Sequence, residues 1–234
     1  VTSEDARFLS NGGRITQGAG GGGGWVNWGT MECNNGGEID IGDRRMVIRV
    51  PGVFILNDGI VSAGSFRTAT AGGIHEGAYI QNGGLLDLEG GSPSNGRSRF
   101  ILEYASNTFQ MTGGTIRIAN DNLRAEGGGL DRGIDIRANA SNVSVTGGRL
   151  LIDMIDNTSD AVVINSTAPF YDVELQGNGT GDNVVLQEIT GPNPGGSAPT
   201  APQPLVVLND FIVGDGVSFD AQNLDLTIGG DLRL

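Results

Sequence analysis

The sequence contains no lysine at all: its 14 basic residues are all arginine, against 27 acidic residues, and the formal net charge is −13. Nucleic acid and anionic membranes are themselves negatively charged, so an acidic surface opposes contact with either. We therefore expect no nucleic-acid partner. The composition suits a solvated cell surface, salty surroundings or the binding of divalent cations.

Cysteine and histidine occur once each. The single cysteine, Cys33, excludes an internal disulfide and stands at an apolar position of a predicted strand, where a small core side chain is expected. The single histidine, His75, does not supply the usual ligand set of a zinc site without further partners.

Long apolar runs and helical periodicity are also missing. No stretch is long and apolar enough to read as a transmembrane helix, so we expect no membrane insertion. Aromatic residues make up 6% of the chain and hydrophobic residues 38%. That is little for a compact globule but enough for a thin core of Ile, Leu and Val between strands.

Glycine, by contrast, is abundant, with 41 residues. Many glycines belong to one recurring phrase, in which alternating apolar residues lead to Asn, Asp or Thr, then glycine, then more alternating apolar residues. Its period of roughly 22 to 34 residues is typical of stacked-repeat proteins. The copies lie at residues 8–15, 33–41, 54–61, 80–88, 109–118 and 143–152.

Each copy is too small to bury its own apolar face, so neighbouring copies must stack. The phrase predicts an all-β fold, a parallel β-helix (β-solenoid) with Gly-Gly corners and irregular loops. The glycines allow positive φ and close backbone approach at a tight corner. Alternation predicts that Ile116, Ile118, Ile134 and Ile136 point inward and that Asp135 points outward; Arg14 and Arg117 are likewise expected to point outward.

The predicted organisation is one elongated unit interrupted once. Residues 1–190 form β-solenoid rungs, residues 191–204 form a loop or linker rich in Pro and Gly, and residues 205–234 continue the rungs. The chain opens at Val1 without methionine and closes inside a repeat-like phrase, so we expect it to be a fragment of a longer polypeptide.

From Ser141 onward the chain resembles the β-solenoid regions of large surface proteins and adhesins of Bacteroidetes and their relatives, which are exported by the type 9 secretion route. The resemblance is carried by Val145-Thr146-Gly147-Gly148 and by the segments 164–173, 208–221 and 226–232. It implies a secreted, cell-surface protein with a structural or adhesive role, and it transfers no active-site residues.

Three acidic residues, Asp153, Asp156 and Asp160, form the densest candidate metal site. Carboxylates from neighbouring rungs could bind calcium through hard oxygen ligands, or act as acid and base on a glycosidic bond. The simpler interpretation is a solvated strand edge and turn, where Asp is favoured. Asp210, Asp215 and Asp220 pose the same choice between turn chemistry and a structural calcium.

Two tryptophans, Trp25 and Trp28, follow a run of glycines. They either cover the core at a bend or an end of the stack, contact another subunit, or stack on sugar rings. The glycine run is no phosphate cradle, since neither a lysine nor a helix follows it.

These features favour an extracellular structural or adhesive protein over an enzyme. It would be a rod that serves as a stalk or self-assembles into a filament, with another copy or a cell-surface glycan as partner. The alternative is a carbohydrate-active or carbohydrate-binding parallel β-helix of the lyase or hydrolase class, which would need Arg117, Arg149 and Asp153 on one face. No cofactor is expected other than structural calcium.

Overall fold

The computed structural model describes residues 6–17, 24–49, 51–69, 77–89, 99–102, 104–120, 132–154, 161–178, 181–187 and 201–234. These residues form strands and one short 3-10 turn, Ala140–Asn142, and none of them is in an α-helix. In chain order the strands are β1 (Arg7–Asn11), β2 (Arg14–Thr16), β3 (Trp25–Asn27), β4 (Thr30–Asn34), β5 (Glu38–Asp40), β6 (Arg45–Arg49), β7 (Val53–Leu56), β8 (Ile60–Ala63), β9 (Ser65–Ala69), β10 (Ala78–Gln81), β11 (Leu85–Glu89), β12 (Phe100–Leu102), β13 (Thr108–Asn120), β14 (Arg132–Ile136), β15 (Val143–Met154), β16 (Ala161–Ser166), β17 (Asp172–Gln176), β18 (Asp182–Leu186), β19 (Leu205–Val207), β20 (Phe211–Val213), β21 (Val217–Asp220), β22 (Leu226–Ile228) and β23 (Leu232–Arg233).

The described strands pair in parallel and form three ladders that the chain visits in turn. The first ladder runs β1-β4-β7-β10 and ends on the first halves of β13 and β15. The second runs β2-β5-β8-β11, continues on the second halves of β13 and β15, and extends through β17, β20 and β23. The third is the 8-stranded sheet from β3 to β21. The predicted all-β class with parallel strands is therefore confirmed.

Strands β13 and β15 each cross the corner between the first two ladders without a break. Their register shifts between Met111 and Thr115, where the Gly-Gly corner lies inside the strand. The first two ladders thereby belong to one 13-stranded sheet that bends around the core. A separate 2-stranded sheet, β19 with β22, touches this assembly through a bridge between Phe170 and Val207.

Two of the corners require glycine for both predicted reasons, a positive φ and the close approach of a neighbouring backbone. Gly84 has a φ of +70°, and a Cβ placed there would lie 2.5 Å from the carbonyl oxygen of Gly59 in the corner next to it. Gly114 has a φ of +80°, and its Cβ would meet the carbonyl oxygen of Gly83 at 2.5 Å. At these two corners the successive levels are therefore stacked so closely that only glycine fits between them.

One continuous apolar core lies between the ladders. The inward side chains predicted by alternation, Ile116, Ile118, Ile134 and Ile136, are at most 1% exposed. As predicted, Cys33 is buried in the same core, and burial raises the pKa of its thiol.

The middle of the core is aromatic, which the low aromatic content did not predict. Tyr79 stacks on Phe54 with ring centroids 5.4 Å apart and meets Phe100 edge-on at 4.8 Å, while Phe66 stacks on Phe100 at 5.3 Å. The Tyr79 hydroxyl donates to Gln81 Oε1 at 2.7 Å, so the buried tyrosine keeps a polar partner. Burial raises the pKa of Tyr79.

Asp135 points out of the core, as predicted, but it is not solvated. Its side chain is fully buried on the outer side of the third ladder, where Arg137 Nε and Nη2 each donate to its carboxylate at 2.9 Å. A buried carboxylate needs such a partner, because an isolated charge is costly to remove from water.

The segment after residue 204 extends the ladders. Phe211 is aligned with Val173 in β17, and Val217 with Asp182 in β18. Most of the predicted linker, residues 191–200, lies outside the described residues. No helix within the described ranges is long and apolar enough to cross a membrane.

Candidate functional site

Two ends of the strand ladders are open. In the part of the chain that the structure describes, β1, β2 and β3 each pair with one strand only, and so do β21, β22 and β23. We call these groups the N-terminal edge and the C-terminal edge. Unpaired backbone N–H and C=O groups along a strand can accept a further strand.

The N-terminal edge holds an apolar pocket that is partly open to solvent. Trp25 packs edge-on against Phe8, with ring centroids 5.1 Å apart. Both rings are only partly buried against the core. The pocket is lined by Phe8, Trp25, Val26, Asn27, Met31 and Met46. Trp25 thus lies at the end of the core, one of the three positions considered for it from the sequence.

Trp28 takes a different contact. The Arg49 guanidinium carbon lies 5.2 Å from the centroid of its ring, in a cation–π arrangement. Trp28 is half-buried and is not among the residues that pack on the core. The two tryptophans therefore do not form one shared stacking platform.

The Asp153 carboxylate lies on the second ladder and faces Arg117 of the neighbouring strand. Arg117 Nη2 is 2.8 Å from Asp153 Oδ2, and Arg117 Nη1 is 2.8 Å from Asp87 Oδ1 on the other side. Burial alone lowers the pKa of Arg117, but the hydrogen bonds to Asp153 and Asp87 outweigh it and leave that pKa raised. One guanidinium therefore joins three adjacent strands, β11, β13 and β15.

This geometry decides what Asp153 can do chemically. A fixed positive charge 2.8 Å from the carboxylate opposes the binding of a second cation at the same oxygen. Asp156 and Asp160 lie outside the described residues, so the three-carboxylate calcium site stays a prediction. No group of three or more potential metal ligands is found among the described residues.

The strand register places Arg117, Arg149 and Asp153, which the carbohydrate-active alternative needs on one face, on the same outer face of the second ladder. They form two separate contacts there. Arg117 pairs with Asp153, whereas Arg149 Nη1 binds Glu174 Oε2 at 2.7 Å. The acidic residues that the sequence brings to this face are used to hold strands together.

Glu32 forms a second charged cluster, on the first ladder. Its carboxylate accepts hydrogen bonds from Asn34 Nδ2 at 2.9 Å and Asn57 Nδ2 at 3.2 Å, and it pairs with Arg7 on β1. The hydrogen bonds from Asn34 and Arg7 lower the pKa of Glu32. The cluster ties the N-terminal edge to the two strands behind it.

The Asn and Thr residues before the corners are hydrogen-bonded to one another along the stack. Asn82 Nδ2 donates to Asn57 Oδ1 at 2.6 Å, and Thr112 Oγ1 donates to Asn82 Oδ1 at 3.0 Å. At the previous level, Asn57 Nδ2 donates to Asn34 Oδ1 at 2.6 Å. The sequence pattern predicts only a turn role for these residues. Their recurrence before successive corners is the sequence feature that indicates a hydrogen-bonded ladder.

Two of the three aspartates Asp210, Asp215 and Asp220, the other calcium candidates from the sequence, have side-chain contacts in the structure. Asp220 Oδ1 accepts the Gln222 backbone N–H at 2.9 Å, a turn contact, and Asp210 Oδ2 binds Arg233 Nη2 at 2.9 Å. Asp215 lies at an exposed turn just before β21. Turn formation and ion pairing account for the placement of Asp220 and Asp210.

The chain matches no protein-family model, no curated protein and no solved structure.

Proposed function

We propose that the chain is a rod-like β-solenoid, a parallel β-helix, from an extracellular surface protein, and that it acts as a stalk or as the body of a filament. The observation that carries this proposal is the continuity of the ladders. The second ladder passes through nine strands, from β2 to β23, alongside one core. Since parallel strands are about 4.8 Å apart, the chain contributes about 43 Å of length to such a rod.

Two further features support a structural role. Charged side chains on the ladders form ion pairs between strands, and the clearest example is Arg117 between Asp87 and Asp153. The acidic, lysine-free composition and the resemblance of residues 141–234 to secreted surface proteins favour a position outside the cell.

Immunogold electron microscopy of the producing cells, with an antibody raised against this chain, tests the proposal. Label on surface projections or shed fibres is the expected result, and label confined to the cell interior would overturn it. As a matched activity test, the chain and its Asp153→Ala variant are compared on acidic polysaccharides. If the unmodified chain cleaves the polysaccharide and the Asp153→Ala variant does not, the structural role is wrong and the carbohydrate-active alternative takes its place.

A further inference from the structure

We propose that the C-terminal edge of one copy binds the N-terminal edge of a second copy, head to tail, with Asp225 opposite Arg7 and Asp231 opposite Arg14. This inference rests on the proposed function and names the partner and the contact. It follows from the order of strands, corners and charges at the two edges.

Both edges carry the same sequence of elements. At the N-terminal edge, β1 leads through Gly12-Gly13 to β2, and at the C-terminal edge β22 leads through Gly229-Gly230 to β23. All strands are parallel along the stack, so a second copy can be added by translation, without reversing direction. The interface is heterologous and does not close, and it therefore builds a filament.

Matching the corners fixes the register in the second ladder. Arg14 and Asp231 each come directly after the corner, and each precedes a residue on the core-facing side, Ile15 and Leu232 respectively. The register between neighbouring strands carries this position along the second ladder. Arg14 is aligned with Glu38, Arg149 with Asp172, and Phe211, the next residue along, with Leu232. Arg14 of one copy thus faces Asp231 of the next.

The strands before the corner, β1 at one edge and β22 at the other, give an independent second pair. The last core-facing residue before the corner is Ser10 at one edge and Ile228 at the other, so Phe8 corresponds to Leu226. The residues before these are Arg7 and Asp225. All four charged side chains are at exposed positions, and the two edges carry opposite charges at both places.

The chain already uses this kind of contact between its own strands. Arg14 Nε lies 3.0 Å from Glu38 Oε1 at the aligned position one level away, and Arg7 pairs with Glu32 of the next strand. β4 and β5 supply acidic partners to Arg7 and Arg14 on the paired side of β1 and β2. The second copy would supply further acidic partners on the open side.

Apolar side chains complete the surface. Leu232 is 51% exposed and Leu234 is 93% exposed at the C-terminal edge, where Leu232 would cover Ile15. Leu226 would cover Phe8 beside the apolar pocket of that edge. The contact joins β22 and β23 of one copy to β1 and β2 of the next, because the described chain has no strand of the third ladder after β21. Strand pairing and apolar burial supply the affinity, and the two charge pairs set the register.

The test is sedimentation velocity of the purified chain across a wide range of concentration. We expect the mass to rise with concentration, and negative-stain images of the concentrated sample to show filaments with an axial repeat of about 43 Å. Arg14→Glu and Asp231→Arg should each weaken association at least about tenfold, because like charges then face each other. An equimolar mixture of the two variants should regain association, since the two substituted positions then carry opposite charges and the unmodified Arg14 and Asp231 still face each other.

Asp43→Arg, a charge reversal at an exposed turn between β5 and β6 and outside both edges, is the matched control for Asp231→Arg and should associate like the unmodified chain. Circular dichroism melting of each variant separates lost folding from lost association. A chain that stays monomeric at every concentration, or a mixture that fails to regain association, overturns the inference. Neither result affects the labelling test of the proposed function, because a stalk need not polymerise.

Discussion

The strands from β7 to β15 and those from β20 to β23 follow the same alternation of apolar residues, yet they differ in burial. In the first region the inward side chains of Phe54, Tyr79, Phe100 and Phe109 are fully buried. In the second, Phe211 is buried, whereas Leu232 is 51% exposed. The same local pattern therefore produces a closed core only where both neighbouring levels are present, as expected for repeat proteins, whose stability depends on nearest-neighbour interfaces.

The largest difference between the two regions should appear on removing an aromatic ring from each. Phe100→Ala should lower the free energy of unfolding by about 3–5 kcal/mol, because it leaves a cavity among stacked rings. Phe219→Ala, at the half-buried C-terminal edge, should cost only about 1–2 kcal/mol. Urea unfolding followed by circular dichroism measures both; equal losses would contradict the comparison.

Two glycines with the same φ separate backbone strain from close stacking. Gly36 and Gly84 both have a φ of +70°, but a Cβ at Gly36 meets nothing within 4 Å, whereas at Gly84 it would meet the Gly59 carbonyl oxygen at 2.5 Å. Gly84→Ala should cost roughly 2–4 kcal/mol, and Gly36→Ala about 1 kcal/mol. Thermal melts of the two variants give the difference, and a Gly36→Ala variant as unstable as Gly84→Ala would show that φ alone sets the cost.

The charged contacts of the two regions can be compared in the same way. Arg117→Gln removes a guanidinium held between two carboxylates and should cost about 1–3 kcal/mol, because Asp87 and Asp153 then lose their shared partner. Arg233→Gln, whose side chain is 57% exposed beside Asp210, should cost under about 1 kcal/mol. Denaturant midpoints of both variants test this, and added salt should reduce the Arg233 effect further.

The smallest expected effect is the pH dependence due to Glu32 near the N-terminal edge. The pKa of Glu32 is lowered in the folded protein by hydrogen bonds from Asn34 and Arg7. Its stabilising contribution is therefore complete above the ordinary glutamate pKa of about 4.3 and is lost as the pH falls through the folded pKa. Glu32→Gln should flatten the fall in melting temperature in that acidic range. If the melting temperature of Glu32→Gln falls with acidification as steeply as that of the unmodified chain, other carboxylates cause the fall.

Much of the local structure could be predicted from the sequence. Alternation placed Ile116, Ile118, Ile134 and Ile136 in the core, and the Gly-Gly phrase placed the corners, since both depend on neighbours along the chain. The candidate site was less predictable. Whether Asp153 faces a metal or Arg117 depends on the strand aligned with it, and the loops between copies differ in length, so spacing in the sequence does not fix that register.

What the sequence determined by itself is the strand pattern, the glycine corners and the excess of acidic charge. The tertiary structure decided which side chains meet between levels: Arg117 between Asp87 and Asp153, the Asn and Thr ladder at the corners, and the buried pair of Asp135 and Arg137. The physical reason is that alternation orients a side chain toward one face of its own strand, whereas its contacts depend on strands that lie about 4.8 Å away in space but are distant in sequence.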